Sequence, residues 1–255
     1  MGLWSVTHAK TLIPALAVMV LLGIVLRRYL LHKEEKWRIL PLQIIGSLLV
    51  LLEIGKQALS LYRGYDLYHL PFHFCSLFIF MVPLMAFYKG HYRQQIRGIT
   101  AAICASLFLM MIIYPCLIYS EWDVKNYFTD YFSFHTVTFH NLVMLAFVLI
   151  PALDIHTPGS KGEIKALLWF VGCFCLVSIA MAYLLKTNFA GFYTCNVPFF
   201  EGVRLAIMDS VGYVAAQAVY VSVLVVLNYA FVYGAYWAYR GICRLLTKNK
   251  KPICV

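Results

Sequence analysis

Glu53 and Lys56, His73 and Cys75, and His135, Thr136 and His140 are the side chains in this sequence whose types and spacing could do chemistry. A thiol near an imidazole is the equipment of nucleophilic catalysis: the ring takes the proton and the sulfur attacks a carbonyl. Pro71 is well placed as the first residue of a helix. Cys75 would then lie in the opening turns, where the positive end of the helix dipole favours thiolate. His73 is two residues from Cys75 and so faces nearly the opposite way on a helix. His140, one turn after Thr136 on the same helical face, is the better partner. Glu53 and Lys56 are three residues apart on one face and suit a charge pair that fixes these groups or meets a headgroup. A zinc centre is the competing chemistry, with ligands from His69, His73, His135, His140 and Glu53. Pro71 interrupts the four-residue spacing of His69 and His73, so the preferred reading is a site without metal or cofactor.

These residues must be positioned by membrane helices. The 255-residue chain is 62% hydrophobic and only 13% charged, with a mean hydropathy of +0.78, against about 25% charged in soluble domains. The net charge of +10 comes from short basic blocks beside apolar runs, which suits a membrane surface and not a nucleic acid. A bilayer core of about 30 Å needs about 20 apolar residues per helix. Seven segments qualify, near 9–31, 39–61, 71–88, 97–119, 134–153, 166–186 and 208–239. The first has no small-residue cleavage site and continues into "RRYLLHKEEKWR", so it reads as a retained helix and not a signal peptide. The expectation is a single all-α transmembrane domain over 1–255, a multi-pass protein of the cell membrane. Fifteen Lys and Arg fall in 27–38, 89–97, 161–165 and the tail from Arg240, against five in the alternate connections. That asymmetry puts the amino terminus outside and the carboxyl terminus in the cytoplasm.

With this orientation the polar residues gather by depth. Glu53 and Lys56 lie in the outer half of the second span, His73 and Cys75 at the outer start of the third, and His135, Thr136, His140 and Asn141 at the outer start of the fifth. Lys186, Thr187 and Asn188 close the sixth, and Asp209 opens the seventh. His135 is expected near the surface with access to water. Ionisable groups at membrane depth are costly and usually face a bundle interior or a watery cavity, so a common outer-leaflet chamber is expected, with membrane lipids as partners. The outer connections 120–133 and 187–207 are rich in aromatics and would lie over it or on the headgroups. Cys116 and Cys195 both fall near the outer surface and could pair in an oxidising compartment. Cys254 is second from the end, so the terminal "PICV" is not a prenylation box.

The run "LPFHFCSL" at 70–77, Glu53 on the preceding span, "YFSFHTVTFHNLVML" at 131–145 and "TNFAGFY" at 187–193 resemble the YwaF family of bacterial integral membrane proteins. That family is related to the animal protein called transmembrane protein one-six-four. The resemblance covers most of the chain and implies a helix bundle that transfers acyl groups between glycerophospholipids through a cysteine acyl-enzyme. More remotely the chain is similar to the androgen-induced membrane hydrolases, which use a threonine and a histidine on lipid esters. His73, His140 and Asn188 match family positions. The animal pattern has its cysteine directly before the first of these histidines, where this chain has Phe72, so Thr136 or Ser76 is an alternative nucleophile to Cys75. The expected activity is lipid acyl transfer or hydrolysis. His140 would be general base, Cys75 nucleophile, His73 orienter, and Glu53, Lys56, His135 and Asn188 substrate contacts. A transporter or small-ligand carrier, a seven-helix receptor and a non-catalytic scaffold are the other readings.

Overall fold

The structure, a computed structural model, describes residues 4–195 and 197–248. Lys250, Lys251 and Cys254 lie outside the described residues. The described chain is an all-α bundle: α1 (Val6–Leu30), α2 (Glu35–Tyr62), α3 (Leu77–Phe87), α4 (Arg93–Ile113), α5 (Glu121–Lys125), α6 (Tyr131–Ala152), α7 (Glu163–Leu185), α8 (Pro198–Val211) and α9 (Tyr213–Lys248). Six of these, α1, α2, α4, α6, α7 and α9, are long and apolar enough to cross a membrane, which makes the chain a multi-pass membrane protein.

Helices α4 and α6 form the centre. The α4 run Gly98-Ile-Thr-Ala-Ala-Ile-Cys-Ala-Ser106 is buried throughout and, apart from Ile99 and Ile103, made of small residues. Small side chains let helix backbones approach closely where lipid offers no hydrophobic drive, so α4 contacts α3, α6, α7 and α9. Helix α6 contacts α1, α2, α4 and α5. Its start is set by Asp130, whose carboxylate accepts from the Ser133 N–H. It is held to α2 by Tyr131, whose hydroxyl donates to the Leu52 carbonyl at 3.1 Å. Gly55 leaves the room that this phenol occupies. At the other end of α6 three arginines cap its last carbonyls and those just beyond: Arg27 donates to Ala152, Arg38 to Leu153 and Arg97 to Ile155. Cations at a helix carboxyl end meet both the unpaired carbonyls and the negative end of the dipole. These basic residues from three helices therefore share one end of the bundle.

Three boundaries differ from the sequence expectation. The third apolar segment is not helical from Pro71: residues 74–76 make one 3₁₀ turn and α3 begins at Leu77. Leu70, before proline, is extended, as proline requires of its predecessor, and His73 is extended too. The Phe72 carbonyl accepts from the Ser178 hydroxyl of α7 at 2.9 Å instead of entering a helix. The apolar helix over Phe74–Phe87 has 14 residues, or about 21 Å at 1.5 Å each, short of a full crossing. The fourth segment ends at Ile113, and the Pro115–Leu117 turn follows it. Asp209 does not open the last long helix: it belongs to α8, which Gly212, at φ 83°, separates from α9. The aromatic connection expected over 187–207 therefore contains most of a helix.

Candidate functional site

A cavity of about 550 Å³ lies between α2, α4, α6, α9 and the segment leading into α3. Glu53, Lys56, His73, Cys75, Thr136 and His140 all line it, and so does His135. These residues come from α2, the 3₁₀ lead to α3 and the first half of α6. The remaining wall is largely apolar, with Ile79, Leu107, Met110, Leu224 and Phe231, and carries the polar Tyr220 and Asn228 of α9. A concave apolar site with a few convergent polar groups is the usual form of a small-molecule pocket.

Glu53 is the centre of the polar end. Its Oε1 meets Lys56 Nζ at 2.7 Å and accepts from Gln57 Nε2 at 2.6 Å. His135 Nε2 stands 3.3 Å from Glu53 Oε2, within ionic reach but without hydrogen-bond alignment. Gln57 extends the network, donating to the His69 carbonyl and accepting from the Tyr65 hydroxyl. His69 Nδ1 in turn meets Ser60 Oγ at 2.6 Å. Burial first, and then Lys56, keep His69 below the ordinary imidazole range.

His140 is 7% exposed. Its Nδ1 is 2.6 Å from the Thr136 carbonyl. A carbonyl only accepts, so Nδ1 carries the proton and Nε2 presents a lone pair. That Nε2 is buried and has no hydrogen-bond partner. Buried polar atoms are almost always satisfied, and each exception calls for an explanation. His73 has the opposite tautomer: Nε2 donates to the Tyr68 carbonyl at 3.0 Å, with the ring between Tyr68 and Phe189. Burial holds its pKa below the ordinary range, so it is neutral at pH 7.

Several sequence expectations change here. Cys75 is not in the first turns of an α-helix but in the 3₁₀ turn before α3, so the helix-dipole argument for its thiolate falls away. His135 is buried against Phe139 and Glu53 and is not a water-exposed surface residue. Asn188 is not among the cavity-lining residues; its Oδ1 accepts from the Tyr193 and Thr194 N–H groups and orders the segment whose Ala190 and Gly191 line the cavity. Asn141 donates to the Val137 carbonyl within its own helix. Cys116 and Cys195 are free thiols. Among the described residues no three of His, Cys, Asp and Glu are placed to share a metal ion. Gln57 is absent from the sequence expectation, and its place one turn after Glu53, on the same helical face, is the local signal that marks it. Tyr220 and Asn228 were hidden in an apolar run, where Asn228 is the sole amide between Ala218 and Arg240.

The sequence profile of the TMEM164 family matches residues 3–233. No curated protein matches the chain, and no solved structure does.

Proposed function

Because the chain belongs to the TMEM164 family over nearly its whole length, we propose that it is an integral membrane enzyme acting on lipid acyl esters, as acyltransferase or hydrolase. The observation that carries this reading is the unpartnered Nε2 of His140 on the wall of a cavity that Cys75 and Thr136 also line. An ester fits the cavity in kind: acyl chain along the apolar limb of Leu107, Leu224 and Phe231, glycerol and headgroup toward Glu53, Lys56 and His135. His140 takes the proton of the Cys75 thiol as the sulfur adds to the ester carbonyl, then gives it to the departing lysolipid oxygen. A hydroxyl acceptor or water, deprotonated by the same ring, releases the acyl group. Lys56 offsets negative charge on the carbonyl oxygen. His73 positions the turn that carries Cys75, and Thr136 is the alternative nucleophile.

The same reading takes the chain to cross the membrane seven times, with Phe74–Phe87 completing the short third crossing, and to place its amino terminus and the cavity toward the outer side. The arginine-capped end of α6 supports the cytoplasmic assignment of the opposite end.

The test is acyl release and transfer from defined phospholipids by the purified chain in lipid nanodiscs, followed by mass spectrometry. His140→Gln lowers turnover about 100-fold or more, and either Cys75→Ala or Thr136→Val abolishes formation of the acyl-enzyme. Turnover unchanged in all three variants refutes the assignment. A carrier, favoured by the buried Glu53–Lys56 pair in the cavity wall, would instead show solute uptake with no ester turnover in any variant.

A further inference from the structure

Among the described residues the cysteine and histidine side chains that meet within hydrogen-bond reach lie outside the cavity. Cys116, in the Pro115–Leu117 turn, has its sulfur 3.6 Å from Nδ1 of His8. His8 is fully buried. Its Nε2 is 3.0 Å from the Tyr119 carbonyl, and its ring stacks on Tyr119. The carbonyl only accepts, so Nε2 carries the proton and Nδ1 is the lone pair that faces the thiol. Nucleophile, base and orienting group are thus in the relation that thiol chemistry needs.

Ser5 tunes the pair. Its hydroxyl oxygen caps α1 by accepting from the His8 N–H and lies 2.6 Å from His8 Nδ1. One hydroxyl has one proton to give. With Nε2 protonated, that proton points to the Nδ1 lone pair, so Ser5 competes with the Cys116 thiol for the base.

The surroundings select the reaction. Acyl transfer to Cys116 would need N–H donors for a tetrahedral oxyanion. The amides that follow it are committed to the turn: Leu117 N–H to Tyr114, and Ile118 and Tyr119 N–H to Pro115. Exchange with a disulfide needs no oxyanion donor, only a thiolate and a path for its proton.

We infer that Cys116, with His8 as base, is a thiol–disulfide exchange site for small-molecule disulfides. Cys116 sulfur bonds to one sulfur of the reagent as the reagent's S–S bond breaks. The departing sulfur leaves with the electron pair and takes the proton that His8 received from Cys116. The products are a mixed disulfide on Cys116 and one free thiol. Leu117 and Ile118, directly after Cys116, line the main cavity, so the adduct adds bulk behind that wall and couples the thiol's state to the cavity.

The experiment uses the full chain in nanodiscs with dithiodipyridine, following thione release and mapping adducts by mass spectrometry, with exposed Cys173 as internal reference. His8→Gln slows adduct formation at Cys116 about 100-fold relative to Cys173. Ser5→Ala, which removes the competitor for Nδ1, speeds it. Cys116 rates that are unchanged in His8→Gln, or that move in parallel with Cys173 in both variants, overturn the inference. If His8→Gln fails to fold, the Ser5→Ala rate decides: a selective rise supports the pair and no rise refutes it.

Discussion

Glu53→Gln removes one charge from a pair whose side chains are only 10% and 15% exposed and whose atoms stand 2.7 Å apart. Gln57 and the Tyr65 network stay in place, so the main loss is the counter-charge of Lys56. Breaking one side of a buried ion pair costs about 3–5 kcal/mol, because the other charge is left without compensation. For a chain of this size about 2–4 °C of Tm accompanies each kcal/mol, which gives a fall of about 6–20 °C at full effect. Lys56→Met alone leaves the carboxylate with Gln57 and His135 and falls in the lower half of that range. The double variant Glu53→Gln/Lys56→Met buries no net charge and recovers most of the loss, with a coupling of about 2–3 kcal/mol. Tryptophan fluorescence during thermal unfolding in nanodiscs measures all four proteins. A double variant whose Tm loss equals the sum of the two single losses would mean the pair carries no energy, and the account of the polar end of the cavity would be wrong.

Acid stability tests the neutral histidines outside the spans. His73 and His69 have pKa values lowered in the folded chain, so the unfolded chain binds more protons, and their contribution is lost as pH falls through about 6.5 toward the folded values. Tm falls between pH 7 and 5, and His73→Asn flattens that slope; an unchanged slope in His73→Asn and His69→Asn together contradicts it. Gly98→Ala drives a methyl into the Glu163 carboxylate, which is tied to Gly159 and Ser160 and lies 3.2 Å from His156. It costs about 1–3 kcal/mol, read as a lower Tm; a Tm equal to wild type means α4 and α7 are not in close contact there. Ser178→Val removes the donor that holds the Phe72 carbonyl and costs about 1–3 kcal/mol, with increased amide exchange confined to residues near 70–76; uniform exchange along the chain argues against that anchor.

Local patterns alone determine the class of this molecule. Runs of about 20 apolar residues cannot be satisfied in water, so the helices α1, α2, α6 and α7, and the start of α4, follow from composition to within a few residues. The i,i+3 spacing of Glu53 and Lys56 was enough to foresee their pair, because a single helix sets that distance. Where backbone and side chain compete for one hydrogen bond, the outcome belongs to the tertiary structure. Phe72 gives its carbonyl to Ser178 from 106 residues away, and the third helix starts six residues after Pro71 as a result. Glu163, His156 and Tyr239 meet at the arginine-capped end, where each residue in isolation looks like an ordinary loop or interface residue. Cys116 finds His8 across 108 residues, and nothing in either neighbourhood announces it. Chain-local sterics and burial fix which segments are helices; which imidazole is left with a vacant lone pair, and which thiol stands beside one, depends on contacts between helices that no window of sequence contains.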